Sequence, residues 1–153
     1  TNQNKQRVVD STELKEQLDK SFNKVTEGLY KSSGINLRFS GSTCVSVLIV
    51  GNKVFCANVG DSRATLARRK EVSGPNGITQ HKIVGIPLNR DHKADEPDEM
   101  TRIQANGGRV AATENVSNPL GPARVWHLHE DIPGLAMSRS FGDQAAAEVG
   151  VTA

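Results

Sequence analysis

Ala57-Asn58-Val59-Gly60-Asp61-Ser62-Arg63-Ala64 is the stretch around which the rest of the chain is organised. It lies where one apolar strand ends and another begins. A Gly-Asp pair at such a place sets a carboxylate on a tight turn at a sheet edge, where a sheet can offer oxygen ligands to a hard cation. An isolated Gly-Asp more often closes a turn through its own backbone. The surrounding sequence has to decide between the two roles.

Upstream, Cys44 to Val50 and Lys53 to Val59 read as the arms of a hairpin with Gly51-Asn52 as a two-residue loop. In that register Val50 faces Lys53, Cys44 faces Val59 and Cys56 faces Val47. The two cysteines then point to opposite sides of the sheet, because side chains alternate along a strand. No disulfide is expected; two buried free thiols fit a reducing, intracellular compartment. One face carries Cys44, Ser46, Leu48 and Val50 against Val59, Ala57, Phe55 and Lys53. The other carries Val45, Val47 and Ile49 against Asn58, Cys56 and Val54. Both are mostly apolar, so the sheet is expected to be covered on both sides, by helices and by a second sheet.

Before the hairpin, Asp10 can cap a helix, with Glu13 placed as in a capping box. Leu14, Leu18, Phe22, Val25 and Leu29 form one apolar stripe along it, and Gly34 is its expected stop. Ser40-Gly41-Ser42-Thr43 lacks the lysine and following helix of a phosphate loop and reads as a turn.

After Asp61, Ala64 to Ala67 reads as a short third strand, and Arg68-Arg69-Lys70-Glu71 as leaving the core. Residues 71 to 85 look like a polar loop with a short strand at Lys82-Ile83-Val84. Glu96, Pro97, Asp98 and Glu99 form a helix start. Met100 and Ile103 supply its buried face, and Gly107-Gly108 ends it before a strand at Arg109-Val110-Ala111. Asn115 to Pro122 reads as a loop and Ala123 to His129 as a strand. His127 and His129 share a face at a spacing metals use, but two histidines without a third ligand are more often a solvated strand face. Gln144 to Val149 suits a short Ala-rich helix.

The bulk properties exclude several classes. With 153 residues, 24% charged and 36% hydrophobic, and a mean hydropathy of −0.45, the chain suits one domain with a real core. A net charge of +2 and 4% aromatics give nucleic acid little to bind, and no apolar run is long enough to span a bilayer. The chain opens without Met and closes on Gly150-Val151-Thr152-Ala153 in mid-pattern, as expected of a piece cut from a longer one.

Three segments in order resemble the metal-dependent Ser/Thr phosphatases of the protein phosphatase 2C family. The first is Ser40-Gly41-Ser42-Thr43-Cys44 with the hairpin and Ala57 to Ala64. The second is Leu88, Asp91-His92-Lys93, Glu99, Arg102-Ile103 and Gly107-Gly108 with Val110. The third is Arg124-Val125 and Leu135 to Asp143. The match covers about residues 40 to 143.

The resemblance implies an α+β fold, part of a two-sheet antiparallel β-sandwich flanked by helices. It also implies a Mg2+ or Mn2+ centre that activates water for direct attack on phosphorus. Asp61 matches the Gly-Asp position that contributes to an additional, weaker metal site, and Asp143 looks like a structural or supporting carboxylate. The family's N-terminal Asp-Gly-His-Gly-Gly type motif and its C-terminal Asp-Gly-Leu-Trp-Asp and Asp-Asn types have no counterpart here. None of His81, His92, His127 and His129 has the context of the family's catalytic histidine.

Residues 1–153 are therefore expected to be a single, partial catalytic domain with no catalytic residue of its own and Asp61 as its one metal ligand. The parent is expected to act on phosphoprotein substrates. The piece itself is expected to be inactive and to pair with a second copy over uncovered sheet. A non-catalytic, phosphatase-like interaction module is the alternative.

Overall fold

A computed structural model describes residues 10–32, 34–115 and 118–153. Helix α1 (Ser11–Lys31) begins where Asp10 accepts the Thr12 N–H at 2.8 Å and ends at Ser32, two residues before the glycine expected to stop it. Its stripe shifts by one position from the expectation. Leu14, Leu18, Phe22, Thr26 and Leu29 are half-buried, while Val25 is exposed. Thr26 fits the inner face because its hydroxyl bonds back to Phe22 O at 3.4 Å.

Strand β1 (Gly41–Ser42) pairs with β9 (Phe141–Gly142). The small-residue approach is therefore paired backbone and not a free turn. A Cβ on Gly41 would collide with the Asp143 carboxylate and Phe141 O, so only glycine allows this approach.

Strands β2 (Cys44–Val50) and β3 (Lys53–Val59) pair in the expected register, from Cys44 opposite Val59 to Val50 opposite Lys53. Phe55, 8% exposed, lies on the face that meets α1. The other face is bare: Val47, Ile49 and Val54 are 47%, 69% and 45% exposed. The described residues thus cover one side of this sheet and not both. Cys44 and Cys56 are free but only partly buried.

The region after Asp61 holds more strand than expected. β4 (Thr65–Ser73) and β5 (Thr79–Pro87) form a long antiparallel ribbon, with a short 3-10 turn at Pro75–Gly77 near its tip. Arg68 to Glu71, taken from the sequence as an exit from the core, belong to β4. Pairing with β5 satisfies their backbone while their side chains stay in water, so no apolar alternation marks the strand.

Helix α2 (Pro97–Ala105) starts on Pro97 as expected, although the Glu96 side chain makes no capping bond. Beyond it β6 (Gly108–Asn115), β7 (Asn118–His127) and β8 (Pro133–Leu135) form one sheet in that order. The expected loop over 115 to 122 is mostly strand, its positions 116 and 117 lying outside the described residues. β7 stops at His127, so Leu128 and His129 belong to a turn. Helix α3 (Gln144–Ala147) sits inside the Ala-rich segment.

Ala94, Ile103, Val125, Ala146, Val149 and Val151 form the core, joined by Val110, Ala123 and Leu135. The architecture is α+β with antiparallel sheets. Among the described residues no helix is long and apolar enough to cross a membrane.

A single carboxylate ties these parts together. Glu99, 0% exposed, accepts from both arms of Arg102 (3.0 and 2.7 Å), from Arg139 (2.7 Å to Nη2) and from Ser138 Oγ (2.5 Å). Burial alone would raise its pKa. The hydrogen bonds from Arg102, Arg139 and Ser138 outweigh that and hold it far below the ordinary value.

Replacing Glu99 with Gln leaves two guanidiniums facing a neutral amide, and should cost on the order of 3 kcal/mol in chemical denaturation. Because the folded-state pKa is depressed, the wild-type contribution is complete above the ordinary value of 4.5 and is lost as pH falls toward the folded-state value. Acid titration of the Gln variant should lack that component of the stability loss.

Candidate functional site

The Gly60-Asp61 turn is built by backbone constraint before any chemistry. Gly60 has φ +95°, and a Cβ there would strike the Thr43 side chain, so both conformation and space require glycine. His92 clamps the turn from the loop ahead of α2. Gly60 N–H donates to His92 Nδ1 at 3.1 Å and His92 N–H donates to Gly60 O at 3.0 Å. The imidazole must therefore carry its proton on Nε2. Burial, with the nearby Arg139 charge, lowers its pKa and favours this neutral form. Asn58 Nδ2 reinforces the clamp, donating to Gly60 O at 2.9 Å.

The 61–64 and 88–93 segments are stitched together along their length. Asn89 Oδ1 accepts the Ala64 N–H at 2.8 Å while its Nδ2 donates to Ser62 O at 2.9 Å. Arg63 grips Asp91 in a fork at 2.9 and 2.7 Å, and its hydrogen bonds hold that carboxyl below its usual range. Thr43 and Ser62 hydroxyls meet at 2.7 Å, anchoring the turn to the start of β2.

Asp61 itself, half-buried, is bound by Lys93, whose ammonium donates to Oδ2 at 2.5 Å. Nothing local in the sequence joins Asp61 to Lys93. They lie 32 residues apart, and only the 88–93 loop folding back along the turn brings them together.

Asp143, the structural or supporting carboxylate of the resemblance, sits at the start of α3 with a left-handed backbone (φ +46°). It is buried, and it accepts from Ser140 Oγ at 2.7 Å while its N–H donates to Ser40 O at 2.9 Å. It braces the β1–β9 junction. His127 ties β7 to α3, with Nε2 2.7 Å from Ala145 O, and His129 lies apart in an exposed turn.

These residues do not by themselves fit a pair of divalent cations. Among the described residues no group of three or more His, Cys, Asp and Glu comes together. Among the described residues no donor reaches Asn58 Oδ1, which is buried near the turn. One such amide oxygen and one carboxylate already holding an ammonium fall short of an all-oxygen cage. The Cys56 thiol, raised by burial, is no candidate nucleophile.

Asn89→Ala should leave both the Ala64 N–H and Ser62 O unpaired. A loss of roughly 1 to 3 kcal/mol in denaturant unfolding is the expected outcome, and a change within error would contradict the stitching role.

The whole chain, residues 1–153, matches the family model described as Protein phosphatase 2C. It is 43% identical over 112 residues to the probable protein phosphatase 2C 64 of Oryza sativa subsp. japonica, a match covering 73% of this chain and 24% of that protein. It is 34% identical over 148 residues to the probable protein phosphatase 2C 35 of Arabidopsis thaliana, covering 87% of this chain and 40% of that one. The fold resembles the crystal structure of serine-threonine phosphatase 2C from Toxoplasma gondii with a TM-score of 0.58 and 26% identity, over 96% of this chain and 48% of that one. The chain thus spans less than half the length of each of these relatives. It belongs to the protein phosphatase 2C family.

Proposed function

We propose that the protein to which this chain belongs hydrolyses phosphoserine and phosphothreonine on proteins, with Mg2+ or Mn2+ as cofactor. Residues 1–153 are read as a single domain, the middle portion of its catalytic domain. The observation that carries the proposal is the family match along all 153 residues. The clamped Gly60-Asp61 turn supports it, because it holds one carboxylate at the mouth of a sheet, where a cation or a phosphate-bound metal can reach it. On this reading Asp61 is an accessory metal ligand that exchanges its ammonium partner for a cation once the remaining carboxylates are present. Two free thiols support a reducing, intracellular setting.

No residue among these 153 is assigned a catalytic role, and the chain alone is read as inactive. Incubated with a small aryl phosphate and excess Mn2+, it should show no metal-dependent turnover, and turnover would overturn the reading. Manganese titration followed by electron paramagnetic resonance should find weak binding or none. Tight binding abolished by Asp61→Asn would contradict it.

The bare face of Val47, Ile49 and Val54 further supports self-association of the isolated chain. Sedimentation velocity should find a dimer whose population falls in Ile49→Glu. A monomer at all concentrations would count against it.

A further inference from the structure

The ribbon of β4 and β5 rises directly from the Asp61 turn, its base fixed by Leu88 N–H donating to Ala64 O at 2.9 Å. Residues opposite one another in an antiparallel pair share a face. One face of the ribbon therefore reads Leu66 with Ile86, Arg68 with Val84, and Lys70 with Lys82. Lys70 and Lys82 stand directly opposed, an unfavourable like-charge pair. Arg68 is two positions away on the same strand, and all three are exposed. Among the described residues none of the three is in a salt bridge. The ribbon's one carboxylate, Glu71, pairs across with His81 on the opposite face. A groove of about 490 Å³ beside the ribbon is lined by Arg68, Lys70, Val84 and Ile86 of this face and by Arg69 and Glu71 of the other, and does not reach Lys82.

We infer that this face docks an acidic segment of a partner protein, its carboxylates over Arg68, Lys70 and Lys82 and an apolar residue against Leu66, Val84 and Ile86. An anion between Lys70 and Lys82 turns their mutual repulsion into shared attraction, which the free chain has no described group to provide. A protein segment fits better than nucleic acid, because neither strand carries a Phe, Tyr or Trp on which a base can stack. It also fits better than a bilayer, because the ribbon's apolar side chains are divided between its faces, Ile83 lying opposite to Leu66 and Ile86. The inference does not depend on the phosphatase reading, since docking needs no metal and no turnover.

The test is fluorescence anisotropy with a labelled peptide, a run of glutamates followed by Leu-Ile, on the full 153-residue chain at low salt. Saturable binding is expected, weakening as salt rises through the range where the Debye length falls below about 10 Å. Lys70→Glu with Lys82→Glu should weaken it on the order of tenfold or more, and Lys70→Gln with Lys82→Gln by less. Replacing the peptide's Leu-Ile with serines should also weaken it. Lys20→Glu with Lys31→Glu, which makes the same charge change on exposed α1, should leave it unchanged. Circular dichroism checks that each variant keeps its fold. Binding that ignores Lys70 and Lys82, or that falls equally in the α1 variant, would overturn the inference. So would tighter binding to polyuridylate or to phosphatidylserine vesicles than to the peptide.

Discussion

The structure depends on one buried negative charge. Glu99 lies on the inner side of α2 with no exposed surface, and removing a carboxylate from water is costly unless it is paired and hydrogen-bonded. Two guanidiniums and a hydroxyl meet that need, and each brings another part of the chain with it. Arg102 also donates to Ser138 O and Gly150 O, both at 2.9 Å, and Arg139 comes from the segment that leads into β9. From Ser138 the order passes outward: its N–H donates to His92 O at 2.9 Å, and His92 holds Gly60 on both sides. A continuous chain of hydrogen bonds thus runs from Glu99 to the backbone of Gly60, the residue next to Asp61. The geometry of the turn is set from within the core and not by the hairpin alone.

Asp61 and Lys93 mark what this arrangement accomplishes locally. A carboxylate on a rigid, half-buried turn will bind whichever cation is nearest, and here that is an ammonium from the neighbouring loop. Both side chains retain solvent access, so the pair is worth little as a source of stability. It fixes the orientation of the carboxylate on the turn.

The hairpin register was legible because a two-residue loop and alternating side chains admit few solutions, and every pair from Cys44–Val59 to Val50–Lys53 follows. The helix over Ser11–Lys31 was legible from its apolar spacing, and the start of α2 from Pro97. The β4–β5 ribbon was not, since strands with water on both faces show no alternation, and charged residues in β4 look like loop. Apolar residues on both faces of β2–β3 suggested two covers, but composition cannot say whether a cover lies within the same stretch of chain. The tight turn expected at Gly60-Asp61 is present, with Gly60 at φ +95°. Its partners were not legible, because His92 and Lys93 are brought to it by the loop ahead of α2. Glu99 looked like one more acidic residue favouring a helix N-terminus. Its burial follows from Arg139, 40 residues away, and no local pattern shows that.

The claim that the Asp61 turn is held by the buried Glu99 network is tested most directly by native-state hydrogen exchange at three amides, those of Gly60, His92 and Ser138. If the network is one unit, they open together with a common free energy and the same dependence on denaturant. If Gly60 and His92 exchange through a small local opening while Ser138 stays protected, the turn is independent of the core and the account is wrong.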